Sequence, residues 1–224
     1  MYWLILLFLF PLLASVVYFF AIYLPSSRLE YGAKRAMSSA VKVLDPQRAI
    51  REAKAAFDEV PTAQNQLRLA EVQLELGFPE EAAQNYDACL KGPFASSLEI
   101  KFGAARALVE CQRYQDAIAH LEAIQSADKS FRLAAVLLLL ARSYAGVGRN
   151  VEARSTFESA VAQFGTFEAR AEYLIWALDN KDSGTALKLK SEIDQIAKRW
   201  TPQTRRFYAH AMARIRDAYG RSAK

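Results

Sequence analysis

Residues 140–160 have the sequence LARSYAGVGRNVEARSTFESA, and this stretch decides the fold of the chain. An apolar segment ends at Gly148, and a second segment then begins with Glu152 and Ala153. Glycine accepts the left-handed backbone conformation that commonly ends a helix. The stretch therefore predicts a helix, a tight turn and a second helix.

The same pattern recurs along the chain. The alanine near the start of the second helix has counterparts spaced 33, 35, 36 and 33 residues apart, at Ala49, Ala82, Ala117, Ala153 and Ala186. A repeat period of about 20–50 residues is typical of solenoids, in which each unit packs on its neighbours. The sequence predicts an all-α superhelical solenoid of about four to five hairpins over residues 45–200.

This pattern resembles the tetratricopeptide repeat, a helix–turn–helix unit of about 34 residues. In that family a small residue of the first helix faces an alanine of the second, a glycine closes the first helix, and an aromatic residue fills the space between hairpins. Ala141, Gly148, Ala153 and Phe157 match these features best. The resemblance implies a scaffold that binds a protein or peptide, and not an enzyme.

The N-terminus has a different composition. Residues 1–27 contain no charged side chain, and about 20 apolar residues span the core of a bilayer. Tyr2, Trp3 and Tyr23 place aromatic side chains at both ends, as at membrane interfaces. A cleaved signal peptide is disfavoured because no positive n-region and no A-x-A site is present. We predict a single-pass transmembrane helix that contacts the lipid bilayer through residues 1–24.

The anchor has a resemblance of its own. Trp3, Phe10-Pro11-Leu12 and Val17-Tyr18 are similar to the second helix of the N-terminal hairpin of phospholipase-D-type cardiolipin synthases. Bacterial membrane-anchored proteins join such a hairpin to a divergent tetratricopeptide array. The similarity implies that the first helix of the hairpin is missing from this chain. No lipid chemistry carries over, because the phospholipase His/Lys/Asp motif is absent.

Charges around the anchor predict its orientation. Arg28, Lys34 and Arg35 follow it in a segment, residues 28–44, that we predict to be a basic juxtamembrane helix, and no Lys or Arg precedes it. Positive residues stay on the cytoplasmic side. We therefore expect a soluble domain in the cytoplasm, held at the inner membrane of a bacterium. The alternative is an assembly factor for a membrane complex that faces the periplasm, and orientation distinguishes the two.

Residues 201–224 are predicted to form one basic capping helix. Thr201 suits the N-cap, and Pro202 suits the first helical position. An apolar stripe at four-residue spacing is expected to pack inward, and it consists of Phe207, Ala211, Ile215 and Tyr219. Residues 198–224 hold eight Lys/Arg against one Asp/Glu, whereas residues 55–197 hold 14 against 20. The basic balance therefore belongs to the ends of the chain and does not indicate nucleic-acid binding.

These basic ends suggest a surface that contacts anionic lipid. The candidate residues of this face are Arg28, Lys34, Arg35, Arg205, Arg206, Arg214 and Arg216. The alternative is a solvated cap that keeps the end of the solenoid soluble.

The family resemblance also implies a groove lined by the inner faces of the first helices. Its candidate residues here are Leu67, Glu71, Glu75, Phe102, Arg106, Glu110, Leu138 and Arg142, and the fourth repeat would add Glu168, Ala171, Ile175, Leu178 and Asp179. Aromatic and arginine side chains commonly anchor protein interfaces, so Phe102, Arg106 and Arg142 are the expected anchors. The alternative is that these residues are ordinary solvated helix faces.

No pattern in the sequence predicts catalysis, a cofactor, a metal or a small-molecule substrate. His120 and His210 are far apart and lack the spacing of metal ligands. The glycines around Val147 follow a helix rather than a strand, so they do not form a phosphate loop. Cys89 and Cys111 lie in predicted helices and are expected to be buried free thiols.

Overall fold

The structure is a computed structural model that describes residues 47–222, and all regular secondary structure in that range is helical. The chain divides into two units after Ala55, and of the described residues 47–55 fall in the first unit and 56–222 in the second. The helices are α1 Arg48–Glu59, α2 Ala63–Glu75, α3 Pro79–Leu90, α4 Leu98–Glu110, α5 Tyr114–Ala127, α6 Leu133–Gly146, α7 Asn150–Phe164, α8 Phe167–Asp179, α9 Ser183–Lys198, α10 Pro202–Phe207 and α11 Ala209–Ser222.

Four helical hairpins follow one another in the second unit. They are α2–α3, α4–α5, α6–α7 and α8–α9, and the second helix of each hairpin packs against the first helix of the next. The first helices also contact one another in sequence, α2 with α4, α4 with α6 and α6 with α8. This arrangement confirms the predicted all-α solenoid of helical hairpins.

Each hairpin turns at a residue with a left-handed backbone, and these residues are Gly77, Gln112, Gly148 and Lys181. The amide of the following residue then reaches back five positions, as when Arg149 N donates to Tyr144 O at 2.8 Å. This bond is the Schellman closure of a helix, which satisfies carbonyls that the helix end leaves unpaired. One turn geometry therefore serves all four hairpins, although glycine fills only two of the positions.

The predicted small residues lie where the helices of a hairpin meet. Ala82, Ala117 and Ala153 are completely buried, and Ala186 is 4% exposed. Phe157 fills the space between hairpins, and its ring stacks on that of Tyr173 with centroids 5.4 Å apart. The alanine spacing therefore identified the contacts that hold each hairpin closed.

Hydroxyl side chains begin several of the first helices. Thr62, Ser97 and Thr166 each accept a hydrogen bond from the backbone amide three residues later. Such N-caps typically stabilise a helix by about 1 kcal/mol. The first hairpin also has a polar contact at its centre, because Asn85 Nδ2 donates to Gln73 Oε1 at 2.8 Å and the Gln73 side chain is buried.

The C-terminal segment differs from the single helix that we predicted. The helix is interrupted at Tyr208, which separates α10 from α11. Tyr208 packs against Phe167 and Trp200, with ring centroids 4.4 Å and 5.0 Å away. The prediction that Phe207 belongs to the inward stripe was wrong, since the break turns the neighbouring Tyr208 inward and leaves Phe207 76% exposed. Ile215 does pack inward, as α11 lies against α8.

No helix within residues 47–222 is both long and apolar enough to cross a membrane. The predicted anchor, residues 1–27, and the predicted juxtamembrane helix, residues 28–44, lie outside the described residues.

Candidate partner-binding groove

The first helices of three hairpins form a common face. Two adjoining depressions lie on it, with volumes of about 480 and 220 Å³. Leu74 and Arg106 line both, so the two form one continuous groove. The remaining lining residues are Gly77, Pro79, Glu110, Leu139 and Arg142 in the larger depression, and Glu71, Glu75, Tyr86, Glu99, Phe102, Gly103 and Arg132 in the smaller one.

Most of the predicted groove residues meet here. Six of the eight line the two depressions, namely Glu71, Glu75, Phe102, Arg106, Glu110 and Arg142. The other two, Leu67 and Leu138, are partly buried against the apolar core instead. Leu139 lines the larger depression next to Leu138, so the sequence register missed this side chain by one position.

Phe102 contributes little surface to the groove. Only 6% of the residue is exposed, and its ring meets that of Phe131 edge to face at 6.2 Å. The guanidinium of Arg132 lies 5.1 Å from the centre of the Phe102 ring. Phe102 therefore belongs mainly to the core at the edge of the smaller depression, and its role as an anchor for a partner stays a prediction. Its removal would affect folding as well as binding.

Ion pairs connect the first helices along this face. The Arg142 guanidinium donates to Glu110 at 3.2 Å and approaches Glu172 to 4.0 Å. Arg132 and Glu99 form a similar pair at 2.8 Å. Arg142 of α6 therefore links its hairpin to α4 and to α8, and Arg132, just before α6, links it to α4. These ion pairs hold adjacent hairpins in register. Because the pairs are solvent-exposed, each is worth at most about 1 kcal/mol.

Arg106 differs from these arginines. It is exposed on α4 and lines both depressions, yet no ion pair within residues 47–222 involves it. Below it Tyr86 is buried, and burial together with the nearby Glu71 carboxylate raises the pKa of Tyr86 to about 12. The groove therefore combines two half-buried apolar side chains, Leu74 and Leu139, with Arg106, a guanidinium that no ion pair in the described residues holds. Glu71 and Glu75 line the smaller depression with it.

The inner face of the fourth hairpin is not open. Helix α11 covers it, because Arg214 donates to Glu172 at 3.0 Å and Arg221 donates to Asp179 at 3.0 Å. Leu178 is only 7% exposed, and Ile175 packs against the same cluster. The fourth repeat therefore does not extend the groove as the repeat register predicted, since the chain supplies its own cover there.

The predicted basic face is divided. Arg205, Arg206 and Arg216 are exposed, but Arg214 turns inward to Glu172. The remaining members, Arg28, Lys34 and Arg35, lie outside the described residues. The structure therefore brings three of the seven predicted cations to the surface of the C-terminal segment.

The described residues contain no cluster of three or more His, Cys, Asp or Glu side chains that could hold a metal. His120 lies 3.9 Å from Asp87, and burial lowers the pKa of its imidazole. Cys89 and Cys111 are free, and burial raises the pKa of both thiols. A thiol with a raised pKa is less reactive, so neither cysteine has the character of a nucleophile.

Comparison with known proteins yields matches in structure only. No family model matches the sequence, and no curated protein matches it significantly. The structure resembles residues 41 to the end of MamA from Desulfovibrio magneticus RS-1, with a TM-score of 0.60 and 17% identity over 74% of this chain and 93% of that one. It also resembles TTC0263, a TPR protein of Thermus thermophilus, with a TM-score of 0.58 and 20% identity over 80% and 96% of the two chains.

The array has the tetratricopeptide-repeat fold. This result confirms the resemblance drawn from the sequence, and at these identities it establishes the fold alone. The tetratricopeptide hairpins here are divergent, since two of the four turns lack glycine.

Proposed function

We propose that this protein is a membrane-anchored, non-enzymatic adaptor that holds a segment of a partner protein in the groove of α2, α4 and α6. The observation that carries the proposal is Arg106, a cation without an ion-pair partner in the described residues, which lines the larger depression together with Leu74 and Leu139. Half-buried apolar side chains beside a guanidinium that is free of ion pairs suit a peptide that presents an apolar residue beside a carboxylate.

Membrane anchoring by residues 1–27 and a cytoplasmic position of the array complete the proposal. Their support is the uncharged apolar run and the positive residues that follow it. An array held in this way recruits its partner to the inner face of the membrane. A periplasmic array would serve a membrane complex from the other side, and the topology measurement given in the Discussion separates the two.

A displayed library of random peptides tests the groove directly. The full chain in detergent is used to select peptides, in parallel with Arg106→Glu and with the control Lys101→Glu. Both variants replace a cation of α4 with a carboxylate, but Lys101 lines neither depression, so it controls for the change in charge alone. We expect the native chain and the control to select peptides that combine an acidic and an apolar residue.

Arg106→Glu should lose this selection, because it replaces the attractive cation with a repulsive carboxylate. Breaking a charge-assisted contact of this kind weakens binding by about 1.5–3 kcal/mol, or roughly 10-fold to 150-fold. Identical peptides from all three proteins, or no enrichment from the native chain, would show that the groove does not bind in this way.

A further inference from the structure

A second cleft lies away from the groove, where the end of α9 meets α10 and α11. Its volume is about 630 Å³. It is lined by the residues Asp194, Ala197, Lys198, Trp200, Arg205, Ala209, Met212 and Arg216. The wall thus combines small and large apolar side chains with three cations and one carboxylate. We call this surface the C-terminal cleft.

The cations of the C-terminal cleft are not neutralised. Lys198, Arg205 and Arg216 take part in no ion pair within residues 47–222, whereas Asp194 is already held by Lys190 at 2.8 Å. The other arginines of α11 behave differently, since they pair with carboxylates of α8. The cleft therefore concentrates positive charge at a place where the fold does not use it.

An exposed aromatic side chain lies next to the cleft, without lining it: the Phe207 ring meets Tyr208 at 4.9 Å, and Tyr208 stacks on Trp200 of the cleft at 5.0 Å. Phe207 directly follows the pair Arg205 and Arg206 and is 76% exposed. Large apolar side chains at the surface cost free energy unless a partner covers them, at about 25 cal/mol per Å². The Trp200 ring of the cleft is stacked on Tyr208 and meets Phe167 at a steep angle, so at least one of its faces is already used within the fold.

We propose that the C-terminal cleft docks onto the surface of a bilayer that contains anionic phospholipid. The three cations would contact headgroup phosphates, and Phe207 would enter the interface between headgroups and acyl chains, where aromatic rings are favoured. A free phosphate would satisfy the cations but leave the apolar part of the cleft uncovered. The proposed groove function uses a different surface and does not depend on this docking.

The first experiment reports on contact at Phe207. The full chain carries an environment-sensitive fluorophore at Phe207→Cys, with Cys89→Ala and Cys111→Ser so that only one thiol reacts. A label at Val151→Cys is the control, since Val151 is 80% exposed on α7. Vesicles contain phosphatidylcholine alone or with about 30% phosphatidylglycerol.

We expect the fluorescence at position 207 to shift to the blue only on anionic vesicles. The shift should disappear at about 0.5 M salt, where charges are screened beyond a few ångströms. The label at position 151 should not respond. A shift of equal size on neutral vesicles, no shift on either kind, or a shift that resists salt would overturn the proposal.

The second experiment removes the cations. Lys198→Ala, Arg205→Ala and Arg216→Ala together should weaken the interaction with anionic vesicles roughly 100-fold, from the attraction of each basic residue to an anionic leaflet. The control removes the same charge elsewhere and consists of Arg68→Ala, Lys91→Ala and Lys129→Ala. Equal losses in the two triple variants would reduce the effect to net charge and contradict a defined cleft.

Two further arms separate this proposal from its competitors. Flotation of the unlabelled chain with neutral vesicles in high salt measures membrane insertion by the proposed anchor alone. If the chain does not float there, the anchor is refuted, and docking of the cleft is still tested on anionic vesicles. Glycerol phosphate and polyglutamate are added to the labelled chain without vesicles. If either reproduces the blue shift, the cleft binds a soluble phosphate or an acidic protein, and lipid docking is refuted.

Discussion

Substitutions at the left-handed turn position can either lower or raise the free energy of unfolding of a hairpin. Gly148 adopts φ +77°, and a Cβ added there would meet no atom within 4 Å. Gln112 occupies the equivalent position with φ +60°, and its side chain is exposed. Because sterics with the rest of the protein play no part, a substitution at either position changes only the local backbone free energy and the entropy of the unfolded chain.

The expected magnitude follows from these two contributions. A residue with a Cβ costs roughly 1–2 kcal/mol in the left-handed region, and replacing glycine recovers about 0.4–1 kcal/mol by restricting the unfolded chain. Gly148→Ala should therefore lower the free energy of unfolding by about 0.5–1 kcal/mol. Gln112→Gly should raise it by a similar amount, since the same terms apply with opposite sign. Gly148→Asn should fall between glycine and alanine, because asparagine tolerates this conformation better.

Hydrogen exchange followed by mass spectrometry suits this test, because solenoids open hairpin by hairpin and one global midpoint hides local changes. The full chain in mild detergent is compared with each variant. Peptides from α6 and α7 should exchange faster in Gly148→Ala, and peptides from α4 and α5 should exchange more slowly in Gln112→Gly. Protection that falls in Gln112→Gly would refute the reasoning, since it would mean that the glutamine contributes contacts beyond its backbone.

Two other predictions concern packing and topology. Ala153→Leu should destabilise the third hairpin by about 1–3 kcal/mol, because Ala153 is completely buried; the exposed neighbour change Val151→Leu is the control, and equal hydrogen exchange of the α6 and α7 peptides in the two variants would contradict the contact. A reporter fused to the C-terminus should be active in the cytoplasm, since Lys and Arg follow the predicted anchor. Activity of a phosphatase fusion in the periplasm would instead favour the assembly-factor alternative.

The hairpins were predictable because their contacts are local. A period near 34 residues located the buried alanines. The turn residue of each hairpin then follows, because it lies five positions before the alanine. Even Gln112 and Lys181 could have been assigned to the left-handed position, since they align with Gly77 and Gly148. Periodicity is informative here because each side chain packs against a neighbour a fixed number of residues away.

Contacts that cross from one repeat to a distant segment were not predictable in the same way. Nothing in the spacing of α8 reveals that Arg214 and Arg221 bind carboxylates 42 residues earlier. The break at Tyr208 is equally invisible, because the local pattern of α10 and α11 reads as one continuous helix. For the same reason the sequence register named Leu138 where Leu139 lines the groove. The rotation of a helix about its axis depends on the helices it packs against, which the repeat spacing does not specify.

The cover that α11 places on α8 has a consequence for assembly. A stack of equivalent hairpins is open at its ends, and each end offers a surface that fits the start of another stack. Head-to-tail contacts of this kind do not close and would generate fibres of unlimited length. Here Ile215 and Ala218 fill the apolar surface that the fourth hairpin would otherwise offer. The apolar residues of α11 therefore remove, at this end of the array, a surface onto which a second copy could otherwise stack.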